Sequence, residues 1–184
     1  MKISFVKTGT RRYGVHVERE RAPALWIGTA PGYDDYLPHD LLHFVAEAEL
    51  GLDGGVFGDL AAGGNARMFV PVDKELVAKM WRQKRMHGYR LPDGRRSELL
   101  AGVLEGAWEA HGAGRDLTAA QRERTVEAGL DEAKVRALLP LLDDLAERWH
   151  ALEAGGKLTL EWPRPEGRKR RPRPKRRPPA TARR

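Results

Sequence analysis

His39, His43 and Glu47 stand four residues apart in the run Pro38-His39-Asp40-Leu41-Leu42-His43-Phe44-Val45-Ala46-Glu47. Two imidazoles and a carboxylate are the donor set of an open divalent-metal site. At about 100° per helical residue the three fall at about 0°, 40° and 80° around a helix, with Asp40 at about 100°. Side chains four apart stack on successive turns, so their donor atoms can converge on one ion at about 2.0–2.2 Å. Leu41, Phe44, Val45 and Ala48 flank this arc on one side, and Leu42, Ala46 and Leu50 on the other. Such flanking is expected of polar groups that face a cleft inside the protein. Three ligands leave a coordination position free for water or substrate, so the expected chemistry is metal-assisted hydrolysis or lyase chemistry on a small molecule. Zinc is the first expectation, with iron and manganese as alternatives, and Asp40 is the expected catalytic base or an orienting partner of a histidine. One helix supplies ligands from one side only, and Asp59, followed by Asp53 and Glu49, is the nearest candidate to approach from elsewhere. Without an ion, the same residues would form a buried polar network.

The elements that must position these groups follow from periodicity. Pro38 suits a first helical turn, no breaker interrupts the run to Leu50, and Gly51 suits the residue past the end, so a helix is expected over 38–50. Further helices are expected around 56–62 in the glycine-rich segment, over 73–87, over 95–110, and from the Thr118/Gln121 capping-box pattern to Gly129. A last helix opens at Asp131 and runs to 154, with Leu138, Leu142, Leu145, Trp149 and Leu152 as its apolar stripe and a kink or break at Pro140. At the amino end, Ile3 and Phe5, then Tyr13, Val15 and Val17, alternate around the turn signal Thr8-Gly9-Thr10; Leu158, Leu160 and Trp162 alternate near the other end. The expected fold is α+β, mainly α: one helical domain over 1–163 with a small antiparallel sheet made by the N-terminal hairpin and a C-terminal strand.

Charge divides the chain. Of its 33 basic residues, 11 fall between Arg164 and Arg184 against one of the 26 acids, so that segment carries +10 and the rest −3. Proline-rich and without apolar periodicity, 164–184 is expected to be a disordered tail, able to contact nucleic acid weakly through phosphates but lacking aromatic groups for stacking. A non-enzymatic accessory protein with such a tail is the alternative to an enzyme. The absence of cysteine excludes disulfides, thiolate-held clusters and cysteine nucleophiles. No apolar run is long enough for a signal peptide or a membrane span, so a cytoplasmic location is expected. Arginine outnumbers lysine 24 to 9, as in high-GC bacterial genomes.

The string His39-Asp40-Leu41-Leu42-His43 resembles the His-Asp-x-x-His metal motif of the coenzyme Q biosynthesis protein family, a helical family in which a distant glutamate follows. The resemblance implies zinc and a role in modifying a quinone-like ring. It covers about a dozen residues and departs from the family pattern, because the glutamate expected twelve residues after the second histidine falls at Gly55. The HD phosphohydrolases share a His-Asp pair on a helix but also need an earlier helical histidine, and His16 here lies in a strand-like segment. Other polar residues have structural readings: His87, His111 and His150 near helix ends, and Glu98, Glu105 and Glu109 along a solvated helix face. The glycine-rich stretch Gly51–Gly64 lacks the ending of a P-loop and reads as flexible joints and helix ends.

Overall fold

A computed structural model describes residues 1–30, 37–82 and 91–164. Alternation of apolar and polar side chains produces β1 (Lys2–Gly9) and β2 (Arg12–Glu18), joined at Thr10 and Arg11. β3 (Leu25–Ile27) follows, then α1 (His39–Glu49), α2 (Val56–Ala61), β4 (Val70–Pro71), α3 (Lys74–Arg82), α4 (Gly94–Gly112), α5 (Ala119–Glu127), α6 (Glu132–His150) and β5 (Lys157–Glu161). The strands form one antiparallel sheet in the order β4-β3-β2-β1-β5. The fold is therefore α+β and mainly α, with the first hairpin and the last strand paired as expected. β3 and β4 extend the sheet beyond that expectation; at three and two residues they are too short to carry a period of two, and Pro71 sits on an edge strand, where a missing N–H is tolerated.

Register decides which face is buried. Phe5 lies between Val15 and Leu158, and Ile3 between Val17 and Leu160, so one face presents an apolar surface to the helices. Ile3, Phe5, Tyr13, Val15 and Val17 are completely buried there and share a core with Leu41, Phe57, Leu100, Leu104, Leu142 and Trp149 from α1, α2, α4 and α6. On the opposite face the indole of Trp26 lies over Gly14, where a Cβ would meet its ring at 2.5 Å.

The helix boundaries follow local chemistry. Thr118 Oγ1 accepts from the Gln121 amide while the Gln121 side chain accepts from the Thr118 amide, closing both arms of the capping box. Asp131 accepts from the Lys134 amide at 2.6 Å to open α6. Pro140 does not split that helix, which is continuous from Glu132 to His150, with Val135, Leu139, Leu142, Leu145 and Trp149 buried. Packing of this stripe on the core outweighs one lost backbone hydrogen bond. The expected helix 73–87 is seen as α3 to Arg82, and the rest of it, with His87, lies outside the described residues.

Arg164, the first residue of the expected tail, is docked on the body. Its guanidinium donates to the carbonyls of Ala48, Glu47 and Leu52, occupying acceptors at and beyond the end of α1. It lies 4.2 Å from the Trp162 ring centre and its Nε pairs with Asp53 at 2.7 Å, as an ion pair rather than an aligned hydrogen bond. The remainder of the expected tail, 165–184, lies outside the described residues. Among the described residues no helix is long and apolar enough to cross a membrane.

Candidate metal centre

α1 packs on the sheet and against α4, so residues Asp40 through Glu47 are all buried and its polar arc faces protein. The arc divides between those two neighbours. Asp40 points to the sheet: its Oδ2 accepts from the Tyr13 hydroxyl at 2.9 Å, and its amide donates to the same hydroxyl oxygen at 3.3 Å. Burial raises the Asp40 carboxyl above the usual range, opposed by the Tyr13 hydrogen bond and the charge of His39. Burial also raises the Tyr13 phenol, and the Asp40 charge adds to it.

His39 and His43 meet α4. Their Nε2 atoms are 3.1 Å apart with the rings edge to face, and Glu98 Oε2 lies 3.7 Å from His39 Nε2 and 3.4 Å from His43 Nε2. These three residues form a group able to hold a metal ion. Its exposure is graded, since the side chain of His43 is 3% exposed, His39 31% and Glu98 67%, so the cluster opens to solvent on the Glu98 side. Burial lowers His43 to about 4, Glu98 acting against it and His39 with it, so the imidazole is neutral at physiological pH.

Glu47, the carboxylate expected to complete the set, stands outside this group. Its Oε1 accepts from the Val56 amide at 2.7 Å and the Ser97 hydroxyl at 2.6 Å; its Oε2 accepts from the Phe57 and Gly58 amides at 2.8 and 3.1 Å. The acceptor positions facing a metal would have to give up four hydrogen bonds. Burial pushes Glu47 up to about 7, against the pull of Ser97 and of the Gly58, Val56 and Phe57 amides. A Cβ on Gly55 would fall on the Glu47 carboxylate, so glycine there makes room for it. The glycine-rich stretch thus does cradle an anion, and that anion is the protein's own carboxylate at the start of α2.

The other candidates are engaged elsewhere. Asp59 accepts from the Ala66 amide at 3.0 Å, Asp53 pairs with Arg164, and Glu49 is exposed. The residue that approaches from a second element is Glu98, expected on a solvated face. Its exposure agrees with that expectation, and nothing in the spacing of Glu98, Glu105 and Glu109 marks the first of them as the one beside two histidines. Ser97, completely buried between His43 and Glu47, was equally silent, since a serine near a helix start is ordinary. A separate cleft of about 380 Å³, lined by Ala107, His111, Arg115, Val135 and Leu139 among others, shares no residue with the cluster. Potential metal-donor atoms converge at the histidines.

No family model matches the chain, and no curated protein or solved structure shows significant similarity to it.

Proposed function

We propose that this chain binds a divalent metal ion between α1 and α4, with His39, His43 and Glu98 as ligands. One observation carries the reading: the three donor atoms form a triangle with edges of 3.1, 3.4 and 3.7 Å. The centre of that triangle is about 2.0 Å from each corner, the length of a zinc–nitrogen or zinc–oxygen bond. Without an ion, three polar atoms at these separations would have to share protons. Two imidazoles and a carboxylate favour zinc, with iron and manganese as the alternatives. Glu98 takes the place first assigned to Glu47.

Three protein ligands leave a position free on the solvent side, the arrangement of a catalytic site rather than a closed structural one. A bound ion there supplies Lewis acidity, polarising a carbonyl or phosphoryl group or making water acidic near neutral pH. Hydrolysis or a lyase reaction on a small molecule is the reading we adopt. Asp40, 6% exposed and engaged by Tyr13, is suited to hold the start of α1 and the charge around His39 rather than to reach a substrate. The quinone-directed role implied by the coenzyme Q family resemblance is not carried forward, because Gly55 offers no carboxylate at the position of the distant glutamate.

Titration of metal-free protein with zinc, and with cobalt followed by its visible absorption, tests the proposal. Near-stoichiometric binding is expected, lost or weakened at least about 100-fold in His43→Gln and about 10-fold or more in Glu98→Gln. Folded wild-type protein that takes up neither metal, or Glu98→Gln that binds as tightly as wild type, would defeat it.

A further inference from the structure

Behind His43 lie two buried side chains that the metal reading leaves unused, joined to it in a hydrogen-bonded chain. Glu47 and Ser97 are 0% exposed and His43 is 3% exposed. Ser97 Oγ is 2.6 Å from Glu47 Oε1 and 2.7 Å from His43 Nδ1. We propose that Ser97 and Glu47 are positioning residues that hold His43 as the Nδ1–H tautomer, so that its Nε2 lone pair faces His39 and Glu98.

The argument is a count of hydrogens. A serine hydroxyl has one proton and two lone pairs, and an ionised carboxylate only accepts. Glu47 faces three backbone amides whose hydrogens point at both its oxygens, so the Ser97 proton is its fourth donor. With that proton committed to Glu47, Ser97 can only accept from His43, and Nδ1 must carry the hydrogen. A neutral imidazole has one N–H, which leaves the lone pair on Nε2, 3.1 Å from His39 Nε2 and 3.4 Å from Glu98 Oε2. With Glu47 ionised, as it is above about pH 7, the reverse polarity would set the Ser97 and Glu47 oxygens 2.6 Å apart with no hydrogen between them. The same count excludes Ser97 as a nucleophile: its proton is committed and its side chain reaches no solvent. A hydroxyl between carboxylate and histidine thus performs the orienting role that a carboxylate or carbonyl commonly performs directly behind a metal-ligating imidazole.

The consequence for affinity rests on the metal reading, but the tautomer can be read without metal. Metal-free full-length protein labelled with ¹⁵N-histidine, examined by long-range ¹H–¹⁵N correlation at mildly alkaline pH, should show His43 as Nδ1–H. Ser97→Ala, which removes the acceptor with little change of volume, should populate both tautomers and weaken zinc binding by about 10–100-fold. Glu47→Gln should invert the chain: the carbonyl oxygen of the introduced side-chain amide keeps the Phe57 and Gly58 amides, its NH₂ donates to Ser97, and the Ser97 proton turns to Nδ1. His43 should then appear as Nε2–H, with its hydrogen aimed where the ion would sit. A purely space-filling role for Ser97 and Glu47 would not move these signals. His43 found as Nε2–H in the wild type, or unchanged in both variants, overturns the proposal. Correct tautomers in a protein that binds no zinc would overturn the metal reading and uphold this one.

Discussion

Burial acts in opposite directions on the two titratable groups that Ser97 joins, and stability should record both. His43 is lowered from 6.5 to about 4 and Glu47 raised from 4.5 to about 7. A depressed histidine contributes stability that is complete above about pH 6.5 and lost as pH falls through about 4. A raised carboxyl contributes stability that is complete below about pH 4.5 and lost as pH rises through about 7. Over the shared interval the two slopes oppose each other, and Asp40, also raised, adds to the Glu47 sense. Comparison with Glu47→Gln isolates one of them. In metal-free protein the wild type should lose up to roughly 3 kcal/mol relative to the variant between about pH 4.5 and 7. Urea unfolding at several pH values measures this difference, and a gap that stays constant with pH would refute it.

At the scale of elements, α1 and α2 are tied by a carboxylate instead of by apolar packing alone. Because Gly55 lies against that carboxylate, Gly55→Ala should lower the unfolding free energy by on the order of 2–4 kcal/mol, through displaced amide hydrogen bonds to a buried charge. Thermal unfolding checks it, and an unchanged midpoint would mean the segment shifts freely. α6 offers the opposite case. Pro140 is exposed, gives no hydrogen to the Arg136 carbonyl, and sits in a helix that stays whole. Pro140→Ala restores that bond and should stabilise the protein by about 1–3 kcal/mol, visible as a higher Tm. A lower Tm would mean that α6 needs the proline geometry to seat Leu139 and Leu142. Of the expected kink or break at Pro140, the continuity of α6 removes the break, since a local propensity was outweighed by a stripe of five buried side chains packed on α4 and the sheet.

For the whole molecule, the first and last strands close the structure. β1 runs between β2 and β5, the Trp162 amide donates to the Met1 carbonyl, and Arg164 then reaches the end of α1. A chain ending at Pro163 should therefore be less stable than one ending at Arg164 by about 1–3 kcal/mol, the guanidinium bonds being lost. Denaturant midpoints of the two truncations decide it. Equal stabilities would show that the Arg164 contacts contribute nothing net. The same pair, compared with full-length protein for salt-dependent binding of DNA or RNA, separates any role of 165–184 from that of the body.

The local features were legible because their causes are local. The caps at Thr118 and Asp131, the alternation in β1 and β2 and the helix carrying His39 and His43 each depend on neighbours within a few residues. The histidine pair was legible for the same reason, since spacing of four sets two side chains on one face. The third member of the cluster was not. His39 and His43 give no direction to the carboxylate they meet, and choosing Glu98 over Glu47 depends on how α1 crosses α4 and where α2 presents its amides. Glu47 reads as a ligand in the sequence because it shares an arc with His43; in the fold, three N–H groups and a hydroxyl occupy it. Electrostatic satisfaction of a buried charge is a contest among groups distant in sequence, and chain packing settles which of them arrive.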